Sequence, residues 1–380
     1  MLYLLPRLML MVFTVGVFNS CKQSVTDPEQ WHFPAFEKVD SVNPVLVAGP
    51  GRFRCPVLKD TIAWENKDVF NPAAVVHEGK VWLLYRAEDT IGRHNGTSRL
   101  GLAVSDDGFK FRREPLPVFY PDEDSMKSLE WEGGVEDPRL VRTPGEVGMP
   151  GGFLLTYTAY DGKVARLCVA FSDDLRNWKK AGPVLRGRFR DTWSKSGAVV
   201  VEQHDDAFIA RRIKCSSQDR SLHDGDCPGH FWMYFGDTDL FMAWSDDLLH
   251  WQPLEENGKL KPVMHPRAGM FDSRLVEPGP FALFTESGII LLYNGMNLEQ
   301  GGDVDLPAGA YCAGQALFMP EDPRILKNRA KEYFLRPDKP YEISGQVNQV
   351  CFIEGLVWHR GRWMLYYGTA DSRIAVAVTR

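Results

Sequence analysis

Five segments of the chain repeat one strand pattern, an apolar run that ends in an aromatic residue followed by a small or polar one. The segments are VWLLYRA, FLLTYTA, FWMYFGD, IILLYNG and WMLYYGT, and they place tyrosines at Tyr85, Tyr157, Tyr234, Tyr293 and Tyr366. Repetition at a fixed period is typical of architectures in which each repeat is one small structural unit packed against its neighbours. The repeats therefore favour one closed array over two unrelated domains.

Further strand-like segments flank the tyrosine strands. Three alternating strands end in Ser-Asp-Asp, in GLAVSDDGFKF, CVAFSDDLRNW and FMAWSDDLLHW. Ser and Asp side chains there can bond their own backbone, and the ligand spacing of an EF-hand is absent, so we interpret the triads as turns. The best helical window, PEDPRILKNRAKEYFL (320–335), is short. Antiparallel units of three or four strands repeated five times predict an all-β fold, a five-bladed β-propeller.

A strand with a polar start precedes each tyrosine strand, in FNPAAVVH, VEDPRLVR, SKSGAVVV, VEPGPFAL and QVCFIEGLVW. The innermost strands of a propeller line its central channel, so these polar starts should meet although they are scattered along the chain. The residues that this geometry groups into one site are Asn71, Asp137, Lys195, Glu277 and Glu354.

Carboxylates dominate the predicted site. Glu136 and Asp137 lie in an otherwise apolar strand, where unpaired charges are costly to bury. They form either a salt-bridged structural turn or a channel-facing acid with a tuned pKa, as the cleavage of glycosidic bonds requires. Asp237 and Glu277 add carboxylates from other repeats. Inverting glycosidases hold two carboxyl groups ~6.5–9.5 Å apart, with room for a water between them.

Charge excludes one class of partner and suggests another. The net charge is −6 and no block of Lys or Arg could follow a phosphate backbone, so nucleic acid is not an expected partner. The cations near the predicted channel strands could contact small anions or sugar hydroxyls. They are Arg86, Arg99, Arg139, Lys195 and Arg274. No metal-ligand spacing is present, and no metal site is expected.

The first twenty residues differ from the rest. Residues 1–20 carry one charge and an apolar run from Leu8 to Phe18, too short to span a bilayer and typical of a secretory signal. Cys21 follows in a setting that resembles the lipobox of bacterial lipoproteins, which predicts lipidation. We therefore expect a signal peptide at 1–20, a tether at 21–45 and the propeller at 46–380. The expected location is the cell envelope of a Gram-negative bacterium, where the chain would be exported and lipid-anchored.

The remaining cysteines suggest two environments. Cys168, Cys312 and Cys351 lie in apolar strands and are predicted to be buried thiols. Cys215 and Cys227 bracket a polar stretch, and an exported protein can form disulfides. Whether these two are bridged is left open by the sequence.

Nearly the whole chain resembles glycoside hydrolase family 130, the β-mannoside phosphorylases and β-mannosidases. The matching stretches are FNPAAV, LLYRA, GLAVSDDG, GVEDPRL, SKSGAV, FDSRLVEPGP, LLYNG, YEISGQVNQVCFIEGLVW and LYYGTADSRIAVA, within residues 66–378. The family fold is a five-bladed propeller, in agreement with the repeats.

The resemblance implies roles for particular residues. Asp137 in GVEDPR would be the general acid, and Glu277 in VEPGP would activate water, with Asp237 where the hydrolases are expected to have Glu. Asn294 replaces the phosphate-binding His of the phosphorylases' LLYHG motif, which argues against phosphorolysis, although Arg86 and Lys195 remain. The implied substrate-binding residues are Asn71, Arg86, Arg99, Glu136, Arg139, Lys195, Asp272, Arg274, Asn294 and Asp371.

These inferences predict an inverting exo-β-mannosidase that releases mannose from β-linked manno-oligosaccharides or glycans, with β-1,2 linkage the expected one. It would use no cofactor. A phosphorylase, which would need inorganic phosphate, and a non-catalytic glycan-binding lipoprotein remain as alternatives. The natural glycan and the oligomeric state are not readable from the sequence.

Overall fold

The structure is a computed structural model that describes residues 31–94, 96–214 and 229–380. The predicted signal peptide, the lipidation site Cys21 and the Cys215–Cys227 pair lie outside the described residues. Within those residues, none of the helices has the length and apolar character needed to cross a membrane.

The described chain consists mostly of strands. Its α-helices are α1 (Lys127–Glu130) and α2 (Pro340–Ile343), and Gly187–Phe189 forms a 3-10 turn. The strands, in chain order, are β1 (Phe36–Lys38), β2 (Arg52–Cys55), β3 (Asp60–Ala63), β4 (Asp68–His77), β5 (Lys80–Glu88), β6 (Ser98–Ser105), β7 (Arg112–Arg113), β8 (Gly134–Arg142), β9 (Phe153–Tyr160), β10 (Ala165–Ser172), β11 (Lys179–Pro183), β12 (Ala198–His204), β13 (Ala207–Ala210), β14 (Arg212–Ile213), β15 (His230–Phe235), β16 (Leu240–Ser245), β17 (Trp251–Pro253), β18 (Glu255–Glu256), β19 (Lys259–Leu260), β20 (Pro262–Met264), β21 (Leu275–Thr285), β22 (Gly288–Met296), β23 (Tyr311–Phe318), β24 (Leu326–Arg329), β25 (Cys351–His359), β26 (Arg362–Thr369) and β27 (Arg373–Thr379).

Most of these strands form five antiparallel sheets that follow one another along the chain, while β2 pairs with β3 and β18 with β19 in separate two-stranded sheets. The first is β4–β7, the second β8–β11, and the fourth β21–β24. The third joins β12 to β15, β16, β17 and β20. In the fifth, β25–β27 are completed by β1, where Phe36 pairs with Thr379. Residues predicted to belong to the tether therefore contribute a strand to the last sheet.

The first strands of the sheets form a closed ring. β4 contacts β8, β8 contacts β12, β12 contacts β21, β21 contacts β25, and β25 contacts β4. Parallel pairing of Val200 with Ala282 joins β12 directly to β21. The prediction of a mostly β fold is confirmed, and the ring brings together the strands whose polar starts were grouped from the sequence.

The repeated tyrosines explain why the pattern recurs. All five are fully buried, and each hydroxyl donates to an acceptor outside its own strand, which a buried phenol requires. The acceptors are Glu65 for Tyr85, Glu130 for Tyr157, the Pro323 carbonyl for Tyr234, Asp272 for Tyr293 and the Gly108 carbonyl for Tyr366. Each tyrosine therefore anchors its sheet to a connecting segment.

The turn interpretation of the Ser-Asp-Asp triads is confirmed. The carboxylate of Asp107 accepts hydrogen bonds from the backbone N–H groups of Phe109 and Lys110, and Asp174 and Asp247 do the same in their own turns. The helical window at 320–335 contains a strand instead, because β24 pairs with β23. The predicted buried thiols are confirmed, with Cys168, Cys312 and Cys351 free and buried.

Candidate active site

The central polar side chains stand at irregularities in the first strands. Asn71 lies where the pairing of β4 with β5 shifts register, Asp137 where β8 shifts against β9, and Glu354 where β25 shifts against β26. A bulge re-aims a side chain that regular alternation would point elsewhere. Asn71 and Asp137 also have positive φ angles, 45° and 47°. This left-handed backbone costs a non-glycine residue roughly 1–2 kcal/mol and is concentrated at functional sites.

A glycine makes room for one of these side chains. A Cβ on Gly368 would lie 2.1 Å from Oδ1 of Asn71, well inside van der Waals contact. Gly368 belongs to β26 and lies within the repeat WMLYYGT, two residues after Tyr366. The close approach of Asn71 therefore explains why this repeat has glycine at position 368.

The starts of the first strands enclose a cavity of about 260 Å³. This lies just below the volume of typical small-molecule pockets, roughly 300–1,000 Å³, and suits one sugar-sized ring better than an extended chain. Its lining combines charged groups with an apolar surface. The polar lining residues are Asn71, Arg86, Asp137, Lys195, Arg274, Glu277, Tyr311 and Asp371, and the apolar ones are Leu275, Met296, Val347, Val350 and Phe352.

Asp137 is the most heavily bonded group of the cavity. Its Oδ1 accepts hydrogen bonds from Asn71 Nδ2 at 2.9 Å and Arg86 Nη1 at 3.0 Å, and its Oδ2 lies 3.2 Å from Lys195 Nζ. Burial alone would raise the pKa of Asp137, but the positive charges of Lys195, Arg86 and Arg139 outweigh it and hold that pKa well below its usual range. Asp137 is therefore a carboxylate.

The cations beside Asp137 are shared with other carboxylates. Arg86 Nη2 donates to Glu88 at 2.7 Å and to Glu136 at 3.0 Å, and Lys195 Nζ lies 3.7 Å from Glu136. Burial raises the pKa of Glu136, against the opposing charges of Arg86 and Lys195. Both cations are thus neutralised by carboxylates of the protein.

Glu277 faces the cavity from the fourth sheet and is buried. Ser196 donates its hydroxyl hydrogen to Oε1 of Glu277. Burial raises the pKa of Glu277 to about 7. The positive charge of Lys195 opposes this rise, and the negative charge of Asp237 adds to it. Asp371 behaves alike, since burial raises its pKa to about 7 against the charge of Arg86. Two carboxyl groups of this cavity therefore exchange protons near neutral pH, which suits general acid–base chemistry.

Asp237 stands outside the lining but close to it. It follows β15, and its carboxylate accepts a hydrogen bond from Trp193 Nε1 at 2.7 Å. The backbone on either side of it is fixed, because Gly236 N–H donates to the Lys195 carbonyl and Val276 N–H to the Thr238 carbonyl. Asp237 is therefore held between the segments that carry Lys195 and Glu277.

Five of the predicted substrate-binding residues do not line the cavity, and the structure places three of these, Arg99, Asn294 and Asp272, away from it. Arg99 is buried against Asp89, with 2.6 Å between Nη1 and Oδ2. Asn294 is fully buried, where its side chain donates to the carbonyl and accepts from the N–H of Ile353. The polar side-chain atoms of Asn294 are satisfied by these partners, and neither residue lines the cavity.

Asp272 is the third, and its role is in packing. It is fully buried, accepts from Tyr293 at 2.7 Å, and forms ion pairs with Arg267 at 2.8 Å and with Arg329. It is thus the acceptor that anchors the tyrosine of the fourth sheet.

Replacing Asp272 should therefore destabilise the protein. Asp272→Asn leaves two arginines without their carboxylate, and breaking a buried ion pair in this way costs about 3–5 kcal/mol of unfolding free energy. Urea unfolding measures the change. The control is Asp191→Asn, which removes an exposed partner of Arg166 and should cost at most about 1 kcal/mol. Unchanged stability with a raised KM would instead assign Asp272 to substrate binding.

Arg139, Glu136 and Glu354 form a layer behind the cavity. Arg139 lies 2.6 Å from Glu354 and donates to the backbone carbonyls of Pro278 and Gly279, so it ties β8 to β21 and β25. Burial raises the pKa of Glu354 well above its usual range. These residues support the cavity rather than line it.

Sequence reasoning missed Ser196 and Tyr311. Neighbouring side chains of an extended strand point in opposite directions. If Lys195 faces the cavity, this alternation predicts that Ser196 faces away from it. The positive φ of Ser196, 59°, breaks that alternation and turns its hydroxyl to Glu277. Tyr311 opens β23 with no polar motif around it, and only the fold brings it to the cavity.

Carboxyl groups from different sheets face one small cavity, an arrangement that carbohydrate-active enzymes use to cleave glycosidic bonds. Residues 57–380 match the model of glycoside hydrolase family 130, described as β-1,4-mannooligosaccharide phosphorylase. The chain belongs to this family, and the family prediction is confirmed.

Known relatives agree with this assignment. A β-1,2-mannobiose phosphorylase from Thermoanaerobacter sp. (strain X514) is 30% identical over 330 residues, 83% of this chain and 91% of that protein. A crystal structure of a glycosyl hydrolase from Bacteroides ovatus is 44% identical, with a TM-score of 0.84 and coverage of 92% and 94%. A third structure is 41% identical, with a TM-score of 0.85 and coverage of 94% and 96%, and represents family 130 glycoside hydrolases that target β-1,2-mannosidic linkages in Candida mannan.

Proposed function

We propose that this protein is an inverting exo-β-mannosidase that releases mannose from β-1,2-linked mannosides. The similarity at 41% identity to a structure from hydrolases that target β-1,2-mannosidic linkages supports the substrate class. The five sheets and their ring of first strands support the proposal that the fold is a five-bladed propeller. The small cavity supports exo action, because one ring fills it and the rest of the substrate must stay outside.

Each side chain at the cavity has a place in this reaction. Asp137 protonates the oxygen that leaves, directly or through a hydroxyl of the sugar, and Glu277 takes a proton from the attacking water, with Asp237 beside it. Asn71, Arg86, Lys195, Arg274 and Asp371 bind the hydroxyls of the mannosyl ring.

Asp137 can act as an acid only if substrate binding raises its pKa. The bound sugar would offer its hydroxyls to Lys195 and Arg86 and so weaken their contacts with Asp137. It would also expel water from the cavity, and desolvation raises the pKa of a carboxyl group. The proton then becomes available once the substrate is in place.

One observation favours hydrolysis over phosphorolysis. The cations of the cavity, Arg86 and Lys195, are already paired with carboxylates of the protein, namely Glu88, Glu136 and Asp137. Phosphate would have to compete with these carboxylates for the same cations, and anions repel one another at such distances. Asn294, which stands where the phosphorylases have a His, is locked to the Ile353 backbone and presents no group to an anion.

The products distinguish the two reactions. With β-1,2-mannobiose and no phosphate, we expect mannose as the sole product, and added phosphate should leave the rate unchanged. Chromatography of mannose and mannose-1-phosphate measures this, with Asp137→Asn enzyme as the blank for contaminating activities. Mannose-1-phosphate formed in a phosphate-dependent way would overturn the proposal.

Phosphorolysis stays the second candidate because of Arg274. This side chain lines the cavity, is exposed, and forms no ion pair with any described residue, so a phosphate could bind it. A purely glycan-binding protein is the third candidate. It predicts bound mannoside and no released sugar in any buffer.

We also propose export and lipid anchoring at Cys21, on the evidence of the sequence alone. Metabolic labelling with a fatty acid, compared between the natural chain and Cys21→Ala, tests the anchor.

A further inference from the structure

Three aromatic side chains form a row that the proposed reaction has not used. Trp193 is 48% exposed, unusual for so large an apolar ring. Its ring centroid lies 6.2 Å from that of half-buried Tyr160, which in turn lies 5.8 Å from that of exposed His94. We name these three residues the aromatic row.

The row is fixed at the edge of the catalytic cavity. Tyr160 ends β9 opposite Gly134, three residues before Asp137, and its ring lies against Gly133, where a Cβ would be 2.2 Å from it. Trp193 precedes the cavity residue Lys195 by two positions, and its indole N–H is held by Asp237 at 2.7 Å. The exposure of Trp193 is therefore maintained by two contacts and is not the result of a loose side chain.

The geometry of the substrate indicates which sugar unit the aromatic row would contact. If one mannosyl ring fills the cavity, the bond to be cleaved points to the opening, and the next sugar must lie outside. A pyranose has a C–H face that packs on an aromatic ring and hydroxyls at its rim that need polar partners. Trp193 supplies the ring and Asp237 supplies the adjacent acceptor.

We infer that Trp193, with Tyr160 and His94 behind it, forms the binding site for the leaving-group sugar, a β-linked mannopyranosyl unit on the reducing-end side of the cleaved bond. This inference rests on the proposed function. Trp193 is also a positioning residue for Asp237, because its N–H fixes one carboxylate oxygen.

Binding to inactive enzyme tests the site without depending on the type of reaction. In an Asp137→Asn background, calorimetry with mannose and with β-1,2-, β-1,3- and β-1,4-mannobiose compares Trp193→Ala, Trp193→Phe and the unaltered Trp193. Loss of the ring in Trp193→Ala should weaken mannobiose binding about tenfold and leave mannose binding unchanged, since mannose needs only the cavity. Trp193→Phe should weaken mannobiose binding by less than about threefold.

Kinetics of the single variants separate stacking from positioning. With active enzyme, Trp193→Ala should raise KM, whereas Trp193→Phe should mainly lower kcat, because the ring remains and the hydrogen bond to Asp237 is lost. Trp178→Phe is the matched control: its half-buried indole donates to the Leu175 carbonyl, in a turn at the opposite end of the second sheet. It should change neither constant.

Two results would overturn the inference. Mannobiose binding that Trp193→Ala leaves unaltered refutes the site alone, while the proposed function stands. Inactive enzyme that binds neither mannose nor any mannobiose refutes the proposed function and this site with it. A phosphorolytic product pattern would change the reaction but leave the binding result valid.

Discussion

Asp137→Asn should keep the fold and lower the turnover of β-mannobiose by about 10²–10⁴-fold, the range that a positioned general acid contributes. Asparagine is nearly isosteric, tolerates the positive φ at this position, and can still accept hydrogen bonds from Asn71 and Arg86. The variant loses the transferable proton and also the negative charge that faces Lys195 at 3.2 Å, so a drop in stability is expected beside the loss of turnover. Steady-state rates measure the effect, and thermal unfolding verifies the fold.

The leaving group makes this prediction sharper. A 4-nitrophenyl β-mannoside needs little protonation as it departs, so the variant should lose much less activity on it than on mannobiose. Asp173→Asn, an exposed change in the turn after β10, is the control and should behave as the natural enzyme. Equal losses on both substrates, or none, would contradict the role of Asp137 as the acid.

Glu277→Gln should produce a loss of similar size, about 10²–10⁴-fold in kcat/KM, because the amide cannot accept a proton from water. The natural enzyme should also show a characteristic acid limb. Burial raises the pKa of Glu277 to about 7, and a base acts only when deprotonated. With substrate bound, when Asp137 carries its proton, kcat should therefore fall as the pH drops below about 7.

The residual activity of Glu277→Gln identifies the origin of that limb. It should have no acid limb near pH 7. A limb that persists would belong to Asp371, whose pKa burial also raises to about 7, and would contradict the assignment of Glu277 as the base. Glu286→Gln, an exposed change in the turn between β21 and β22, is the matched control on the same hairpin.

The sequence contained most of the fold because the repeats are enforced by burial. Each tyrosine strand needs its apolar run for the sheet and its hydroxyl for an anchoring acceptor, so the pattern is visible without a structure. The strand β1 was missed because its three residues, Phe36–Lys38, have no counterpart among the repeats. Their pairing depends on β27, more than three hundred residues away.

The sequence predicted those site residues whose position is decided by where they stand along a strand. Of the five residues grouped at the starts of first strands, the structure brings four, Asn71, Asp137, Lys195 and Glu277, to one cavity and places Glu354 behind it. Arg99, Asp272 and Asn294 were chosen by their residue type within motifs, which cannot show whether a polar side chain faces a cavity or a buried partner. Trp193 carried no pattern at all, since its importance lies in its exposure beside Asp237.

The left-handed backbone at the cavity limits how this enzyme could evolve. Asn71, Asp137, Ser196 and Asp371 all adopt positive φ angles, which asparagine, aspartate and glycine accept most readily. Few side chains could occupy these positions without added strain, whatever chemistry they offered. Alanine is accordingly a poor reference for them, and glycine a better one, because it removes the side chain and relieves the backbone. New specificities should therefore arise from the loops and aromatic groups around the opening, where the backbone imposes no such restriction.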